Sequence, residues 1–435
     1  MNLCVVGTGY VGLVAGACLA DFGMNVTCVD TDAAKIDLLR QGRVPIHEPG
    51  LSDLVQRNTR LGRLHFTTDL SQAVDRCLVI FLAVGTPEGE GGRPDLSHIE
   101  AAAVAIARCM TEYKVIAVKS TVPVGTARRL QQLMKDNFTR DLDFDVVSNP
   151  EFLREGAAIK DFLRPDRIIL GSDSERALAI MRDIYRPLYL LRKPIVSTTS
   201  ETAELIKYAA NTMLALRISF INEIANLCER VGADVYDVAV AIGMDKRIGP
   251  KFLHPGPGFG GSCFPKDVKA LVNIARDHDY AFQLAEAVVA VNSRQREIAV
   301  EKIRRSLGSP KGKTVTLLGL SFKPETDDLR EAPALYIANA LLADGVSVHA
   351  YDPASMDEAR RIMPSLRCFN DPYSACEGSD MVVIVTEWNE FRDLDLARLK
   401  GLVRQPILFD TRNVYEPARV VGFGFTYLST GRVAR

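Results

Sequence analysis

Residues 2–12 read NLCVVGTGYVG, an apolar strand that runs directly into three glycines. Gly7, Gly9 and Gly12 have the spacing GxGxxG, and the helical pattern VAGACLADFG follows and ends at Gly23. In a βαβ unit the first glycine permits a tight turn, the second lets backbone N–H groups approach a pyrophosphate, and the third lets the helix pack on the strand. The stretch therefore predicts a doubly wound domain that binds a dinucleotide.

The next strand, NVTCVD, ends in an acidic residue, Asp30. A carboxylate at this point accepts hydrogen bonds from a ribose 2′-OH and repels a 2′-phosphate, which favours NAD over NADP. The positive end of the helix dipole also favours the negative charge of a phosphate. The alternative is that the glycines serve only packing. Because strand, turn, helix and acidic residue stand in register, we favour cofactor binding.

The α/β pattern continues with three further buried strands, in CLVIFLAVGTP (77–87), KVIAVKSTVPVGT (114–126) and FDVVSNPEFLREG (144–156). In open parallel sheets, ligands sit beyond the carboxyl ends of the strands. Four polar residues stand at those ends: Thr86, Thr121, Glu151 and Glu155. For each threonine taken alone, a helix cap or a turn is the simpler interpretation.

A helical pattern without proline or glycine runs from about residue 200 to residue 231. Lys207 and Asn211 are four positions apart, so they share one face of this helix. On the helix alone, the simpler interpretation is a solvent-facing lysine and a tolerated asparagine. A helix of this length between two α/β segments more often bridges domains or subunits than stands alone.

The last third of the chain repeats the pattern of the first. After SLGSPKGK come a strand and turn (TVTLLGLSFK), a helix (ALYIANALLADG) and a strand that ends in aspartate (VSVHAYD). The glycine fingerprint is incomplete, with Gly319 followed by Ser321 and Lys323. A nucleotide can still bind at the strand ends, with Lys323 as a point charge for a phosphate.

These patterns predict an α/β protein with two Rossmann-like doubly wound domains, joined by a long central helix and a helical middle domain. We expect the NAD-binding domain at residues 1–198, the central domain at 199–305 and the second Rossmann-like domain at 306–435.

The loop GPGFGGSCFPKD, residues 256–267, places Cys263 among small residues and next to Lys266 and Asp267. A reactive cysteine needs access and a positive field, which lysines supply, and glycines leave room for a substrate carbon. Beside a nicotinamide, a thiolate can add to an aldehyde, and loss of a hydride from the adduct gives a thioester that water releases as an acid. The alternative is a glycine-rich turn around a buried structural cysteine.

Composition narrows the class of protein. The chain has 435 residues, 47% of them hydrophobic, and a formal net charge of −1, which gives no argument for a nucleic-acid or membrane partner. No apolar run approaches the roughly 20 residues that span a bilayer, and a strand-like segment begins at Leu3, so we expect a cytoplasmic protein. The nine cysteines never form CxxC and the six histidines lack ligand spacing, so we expect neither a disulfide framework nor a metal site.

Eight motifs together resemble those of the nucleotide-sugar dehydrogenases, the UDP-glucose/GDP-mannose dehydrogenase family. They are GTGYVG, EPGL (48–51), VGTP (84–87), STVPVGT (120–126), NPEFLREG (149–156), ELIKYAAN (204–211), FLHPGPGFGGSCFPKD (252–267) and GLSFKPETDDLREAP (319–333). The resemblance implies a two-step, four-electron oxidation that turns the sugar C6 alcohol of UDP-glucose into the carboxylate of UDP-glucuronate and consumes two NAD⁺.

The resemblance also implies roles for individual residues. Cys263 would be the nucleophile, Lys207 and Asn211 would stabilise an oxyanion, Asp267 and Thr121 would organise a water, and Glu151 would act as an acid or base. The implied cofactor contacts are Gly7, Gly9, Val11, Gly12, Asp30, Lys35, Thr86, Thr121, Glu155, Lys266 and Arg330. The implied nucleotide-sugar contacts are Glu151, Phe152, Leu153, Arg154, Glu155, Lys207, Asn211, Arg247, Phe252, Leu253, His254, Pro255, Gly256, Gly260 and Lys323.

Arg247 matches an arginine that a neighbouring subunit contributes in this family, which implies a homodimer, or a higher homo-oligomer, formed through the central helix. GDP-mannose and UDP-N-acetylhexosamine 6-dehydrogenases share the scaffold and the cysteine, so those substrates stay open alternatives. Two further alternatives are a two-electron hydroxyacid dehydrogenase and a non-catalytic NAD-binding regulator, which need no reactive thiol.

Overall fold

The computed structural model of this chain describes residues 1–140, 142–191 and 193–433. It divides into two compact units, residues 1–210 and residues 211–435. The domain boundaries expected from the sequence, at residues 198 and 305, stay a prediction.

The first unit is built on one sheet, which contains eight strands within the described residues. They are β1 (Asn2–Val6), β2 (Asn25–Val29), β3 (Leu64–Thr67), β4 (Val79–Leu82), β5 (Lys114–Val118), β6 (Phe144–Ser148), β7 (Ile168–Gly171) and β8 (Ile195–Thr198). Their order is β3-β2-β1-β4-β5-β6-β7-β8, and every neighbouring pair is parallel except β6 with β7. The first six strands therefore have the order of a doubly wound nucleotide-binding sheet.

Helices cover both faces of this sheet. They are α1 (Tyr10–Asp21), α2 (Ala33–Arg40), α3 (Leu51–Arg60), α4 (Leu70–Arg76), α5 (Ser97–Cys109), α6 (Thr126–Asn137), α7 (Ala158–Leu163), α8 (Glu175–Ile184) and the start of α9 (Ser200–Val231). Val5 belongs to the core on one face and Cys4 to the core on the other. A strand that is buried on both faces has no polar alternation, which is why β1 reads as a continuous apolar run.

The second unit begins within α9 and continues with three helices, α10 (Val235–Gly243), α11 (Phe264–Asp277) and α12 (Gln283–Leu307). A six-stranded parallel sheet follows, as far as the structure is described, in the order β11-β10-β9-β12-β13-β14. Its strands are β9 (Thr314–Leu318), β10 (Ser347–Tyr351), β11 (Arg367–Cys368), β12 (Met381–Ile384), β13 (Ile407–Asp410) and β14 (Thr426–Ser429). The remaining helices are α13 (Pro333–Ala343), α14 (Met356–Ile362), α15 (Pro372–Cys376), α16 (Asn389–Arg392), α17 (Leu396–Leu402) and α18 (Pro417–Gly422).

The two sheets repeat one local design. Gly7 has φ +98° and Gly319 has φ +91°, so each turn after the first strand of its sheet uses a conformation that favours glycine. The amide of Thr8 donates to Asp30, and the amide of Leu320 donates to Asp352. The prediction of two doubly wound sheets is therefore confirmed, including the one whose glycine fingerprint is incomplete.

The described residues contain neither a candidate membrane span nor a candidate metal site. Within them, no helix combines the length and the apolar character needed to cross a membrane. In the same part of the chain, no group of three or more histidine, cysteine or acidic side chains is arranged to hold a metal ion.

Candidate active site

The glycine loop of the first unit is shaped by two close backbone contacts. A Cβ on Gly7 would lie 2.7 Å from the carbonyl oxygen of Ala83, and a Cβ on Gly12 would lie 1.9 Å from that of Gly7. The Cβ position of Gly9 has open space around it, and α1 begins at the next residue. Packing therefore requires Gly7 and Gly12, whereas Gly9 leaves room beside the first amide groups of α1, where a pyrophosphate fits.

Asp30, at the end of β2, is held in place as an anion. Its carboxylate accepts hydrogen bonds from Thr8 N (2.8 Å), Thr8 Oγ1 (2.6 Å) and Asp32 N (3.1 Å), and Lys35 Nζ lies 3.3 Å away. Burial would raise the pKa of Asp30, but these hydrogen bonds and the charge of Lys35 hold it below its usual value. The residues expected to contact NAD in this region therefore meet at the glycine loop, and the cradle fits a dinucleotide.

The carboxyl ends of β4 and β5 also meet. Thr86 Oγ1 donates a hydrogen bond of 2.9 Å to the carbonyl oxygen of Thr121. Thr121 lines a small pocket together with Val118, Ser120, Val122, Ser148, Pro150, Glu204 and Lys207. The structure thus brings together two of the expected cofactor contacts and places one of them in a pocket with a lysine.

Glu151 and Lys207 form a buried ion pair in the first unit. Lys207 Nζ lies 3.0 Å from Glu151 Oε1, and both side chains are almost completely buried. Lys207 Nζ also lies 5.3 Å from the centroid of the Phe152 ring. Glu151 accepts a further hydrogen bond from the Leu153 amide, so the pair fixes the beginning of the NPEFLREG segment.

Arg154, in the same NPEFLREG motif, forms an ion pair with Asp161. Its guanidinium donates two hydrogen bonds to Asp161, at 2.9 and 2.7 Å, and this contact raises the pKa of Arg154. A substrate contact through the Arg154 side chain would have to compete with this ion pair.

Two buried carboxylates, which the sequence analysis did not single out, accept hydrogen bonds from backbone amides of the STVPVGT and NPEFLREG motifs and of residues close to them. Glu204 accepts hydrogen bonds from Gly125 N (2.6 Å), Ala127 N (2.8 Å) and Ser148 Oγ (3.3 Å). Burial nevertheless raises the pKa of Glu204 to about 7. Glu48 accepts from the Gly156 and Ala158 amides, at 2.7 and 2.8 Å.

Only the motif match carried a signal for these two residues. EPGL and ELIKYAAN contain Glu48 and Glu204, but nothing in the spacing indicates that either carboxylate reaches backbone amides across the fold.

In the second unit, Cys263 immediately precedes α11. It is the N-cap residue of this 14-residue helix, and the Asp267 amide donates to its carbonyl oxygen at 2.8 Å. The side chain is half-buried, and its Sγ lies 3.5 Å from Ser262 Oγ. A helix N-terminus favours negative charge on a thiolate, so this position suits a nucleophile.

One turn into α11, Asp267 joins two other expected site residues. Asn211 Nδ2 donates to Asp267 Oδ2 at 2.7 Å, and Lys266 Nζ lies 2.6 Å from Asp267 Oδ1. Asp267 and Asn211 are both buried. The structure therefore brings Asn211, Lys266 and Asp267 together close to Cys263.

Two glycines of the cysteine loop pack closely against another segment of the second unit. A Cβ on Gly260 would lie 2.4 Å from the carbonyl oxygen of Glu331, and a Cβ on Gly261 would lie 2.7 Å from the Phe322 ring. Close packing against the SFKPETDDLREAP segment therefore requires glycine at both positions, and the expected clearance for a sugar stays a prediction. The same contact brings Arg330 to the loop, since the Gly261 amide donates to its carbonyl oxygen at 2.8 Å.

Five predicted substrate contacts lie in the segment that precedes the cysteine loop or begins it, residues 252–256. Phe252 has φ +62° and lies 6.2 Å from Phe264, ring to ring, while Leu253 is buried with Ile221. The Gly256 amide is held by Asn222 Oδ1 at 2.9 Å. The same loop also contains His254 and Pro255.

Three of the predicted site residues in the second unit are charged and lie outside the cysteine loop. They are Lys323, Arg330 and Arg247. Lys323 Nζ lies 5.4 Å from the Phe322 ring, and Arg330 pairs with Asp328 at 2.8 Å. Arg247 is exposed in the segment after α10, where it pairs with Asp245.

Comparison with known proteins gives three family matches in the order of the chain. They are the NAD binding domain (residues 1–189), the central domain (201–294) and the UDP binding domain (316–417) of the UDP-glucose/GDP-mannose dehydrogenase family.

The similar proteins include several that are named UDP-glucose dehydrogenases. A UDP-glucose 6-dehydrogenase of Rhizobium meliloti (strain 1021) is 52% identical over 99% of this chain and 100% of its own length. One of Pseudomonas aeruginosa is 45% identical over 99% of this chain and 98% of its own. The solved UDP-glucose dehydrogenase of Pyrobaculum islandicum superposes with a TM-score of 0.92 at 37% identity, covering 99% of this chain and 96% of that one.

Proposed function

The chain belongs to the UDP-glucose/GDP-mannose dehydrogenase family, and we propose that it oxidises UDP-glucose to UDP-glucuronate in two steps. It is an NAD-dependent oxidoreductase, which sets aside a non-catalytic regulator. The observation that carries the two-step proposal is the position of Cys263 at the N-terminus of α11, one turn from the buried Asn211–Asp267 pair.

The first step removes a proton and a hydride from the C6 alcohol. NAD⁺, when bound at the glycine loop, accepts the hydride. Lys207 stabilises the alkoxide that develops on the sugar oxygen, and Glu151, its partner at 3.0 Å, is placed to exchange a proton with it. The buried setting of this pair supports the proposal, because a charge stabilises an oxyanion more strongly where water is excluded.

The second step uses the thiol of Cys263. Its Sγ gives up its proton and bonds to the aldehyde carbon, while the π bond of the carbonyl breaks. Lys207 and Asn211 stabilise the charge on the oxygen, which takes up a proton to give a thiohemiacetal. Loss of the hydroxyl proton and of a second hydride, for which a second NAD⁺ held at the glycine loop would be the acceptor, would leave a thioester on Sγ. A water molecule then adds to the thioester carbon, the C–S bond breaks, and the acid leaves as a carboxylate.

Asp267 and Thr121 are the groups that we assign to the hydrolytic water. Asp267 is buried and accepts from Asn211 and Lys266, which fixes both of its oxygens. Thr121 lines the pocket that also contains Lys207. For each sugar the reaction consumes two NAD⁺ and one water and releases two NADH and three protons.

The nucleotide sugar itself is tested by a substrate panel. We expect UDP-glucose to give a kcat/KM for NADH formation at least roughly tenfold above those for GDP-mannose and UDP-N-acetylmannosamine, since one changed ring substituent or base costs about 1–3 kcal/mol in a fitted site. A preference for either of the other two sugars would replace UDP-glucose in the proposal and leave the reaction type unchanged.

We further propose a homodimer through α9 and α10, with Arg247 presented to the neighbouring subunit. Met213, Phe220 and Leu227 are spaced by seven residues on α9, so they form one stripe, and each is at least half exposed. Tyr236 and Met244, in and after α10, are exposed as well. Burial against a second copy of the chain is the best explanation for these exposed apolar side chains in one stripe.

The dimer is tested by placing a charge in the stripe. Phe220→Asp should shift the protein from dimer to monomer in analytical ultracentrifugation, because an unpaired carboxylate in an apolar interface is strongly unfavourable. Tyr280→Asp is the matched control, since Tyr280 is an exposed aromatic residue (62% exposed) that lies outside α9 and α10. A dimer that survives Phe220→Asp would place the interface elsewhere.

A further inference from the structure

Lys119 is a buried lysine to which the proposed reaction assigns no role. It follows β5, and its backbone amide donates to the carbonyl oxygen of Leu82 at 2.8 Å. Only 4% of the residue is exposed. Its Nζ donates to Asn149 Oδ1 at 3.4 Å and lies 5.7 Å from the centroid of the Phe162 ring.

The contact with Asn149 ties Lys119 to the segment that begins the NPEFLREG motif. Tyr185 OH donates to the same Asn149 oxygen at 2.6 Å, and Asn149 Nδ2 donates to the Ile169 carbonyl at 3.0 Å. Glu151 follows two residues later and pairs with Lys207. Lys119 is therefore bonded to the segment that carries Glu151, and it lies within electrostatic reach of both Glu151 and Lys207.

No carboxylate among the described residues forms an ion pair with Lys119, so its ammonium is stabilised by a neutral oxygen, an aromatic ring and longer-range charge. Burial lowers the pKa of Lys119 to about 8, attraction to Glu151 opposes that shift, and repulsion from Lys207 adds to it. Tyr185, the other titratable group beside Asn149, has its pKa raised by burial and stays neutral. Glu151 and Lys207 are therefore the charges that Lys119 acts on.

We propose that Lys119 is a positioning residue whose ammonium keeps the cluster of Lys119, Glu151 and Lys207 at a net positive charge. With Lys119 charged, two cations face one carboxylate. With Lys119 neutral, the cluster carries no net charge, and Lys207 is fully compensated by Glu151. The extra charge stabilises the alkoxide that forms as the sugar hydroxyl loses its proton. This inference rests on the proposed function.

The test compares Lys119→Met with its parent as a function of pH. Both are made in a Cys263→Ala background, which removes the thiol from the titration and limits the reaction to the first hydride transfer. We expect the first-turnover rate of NADH formation to be roughly tenfold higher in the parent at pH 7, the size of one unit charge acting through a protein interior. The ratio should fall toward one above about pH 9, where Lys119 is neutral in the parent as well.

A ratio that stays constant with pH would overturn the inference, because loss of packing alone slows the variant equally at every pH. Tyr185→Phe is the matched control: it removes the other hydrogen bond to Asn149 Oδ1, keeps the charge, and should give a ratio without a pH step. Burial raises the pKa of Glu204 to about 7, and because neither substitution changes this residue, its titration should affect both rates alike and leave their ratio unchanged. If Lys119→Met does not fold, Lys119→Gln removes the charge and keeps a polar end.

A second readout needs no activity. The folded-state pKa of Lys119 is lowered to about 8, so above that pH the unfolded chain binds more protons at this site than the folded protein. The free energy of unfolding of the parent, relative to Lys119→Met, should therefore rise between about pH 8 and 10. A flat difference would show that Lys119 is not a buried cation and would overturn the inference. A rising difference in a protein that never forms NADH would instead mean that the proposed function is wrong.

Discussion

Replacing Cys263 by alanine should abolish formation of the sugar acid, with a loss of at least roughly 10³-fold, and leave the affinity for NAD within about twofold. Without Sγ, no thioester can form, so the second oxidation has no covalent intermediate. The glycine loop and Asp30, which we propose as cofactor contacts, belong to the first unit, so the loss of this thiol should leave them unchanged. The measurement is chromatographic quantification of UDP-glucuronate, together with NAD binding by calorimetry.

Two further variants make this result specific. Cys109→Ala, which alters another partly exposed cysteine, should leave acid formation unchanged. Cys263→Ser keeps the size of the side chain at the start of α11 and should still fail to release acid at more than a trace rate, because an ester is a poorer intermediate than a thioester. If Cys263→Ala formed the acid at the wild-type rate, Cys263 would not be the nucleophile.

Replacing Lys207 by methionine should lower kcat by roughly 10²–10³-fold and also destabilise the fold. The oxyanion loses its charged partner, which accounts for the loss of rate. The carboxylate of Glu151 stays buried without its ammonium at 3.0 Å, which costs about 3–5 kcal/mol in the free energy of unfolding. Stopped-flow NADH formation and urea unfolding measure the two effects separately.

The double variant Lys207→Met with Glu151→Gln separates catalysis from stability. It removes both charges, so most of the lost stability should return, while kcat should stay low. If kcat recovered together with stability, Lys207 would be a structural residue and the assignment of the oxyanion contact would fail.

The sequence predicted the fold well because the decisive rules are local. The turn at Gly7, the helix that follows and Asp30 lie within 30 residues, and buried parallel strands are recognisable as apolar runs. The second sheet was predicted from the same periodicity, although only one glycine of its fingerprint is present. Its aspartate, Asp352, binds the amide groups after β9 as Asp30 binds Thr8.

The site was predictable as a set of candidates but not as a set of contacts. Glu151 and Lys207 are 56 positions apart, and so are Asn211 and Asp267, and no local pattern pairs residues at such separations. Lys119 reads in sequence as an ordinary lysine after a strand, and only the fold shows that it is buried. Gly260 was predicted to contact the substrate, but a sequence cannot show that Glu331 packs against this position.

The end-point yield of NADH per sugar distinguishes a two-step oxidation through Cys263 from a single oxidation to the aldehyde. Limiting UDP-glucose is incubated with excess NAD⁺ until absorbance is constant, and the product is identified by mass. We expect about two NADH for each UDP-glucose, with UDP-glucuronate as the product, because each of the two oxidations transfers one hydride. One NADH for each sugar, with the aldehyde released into solution, would contradict the two-step oxidation.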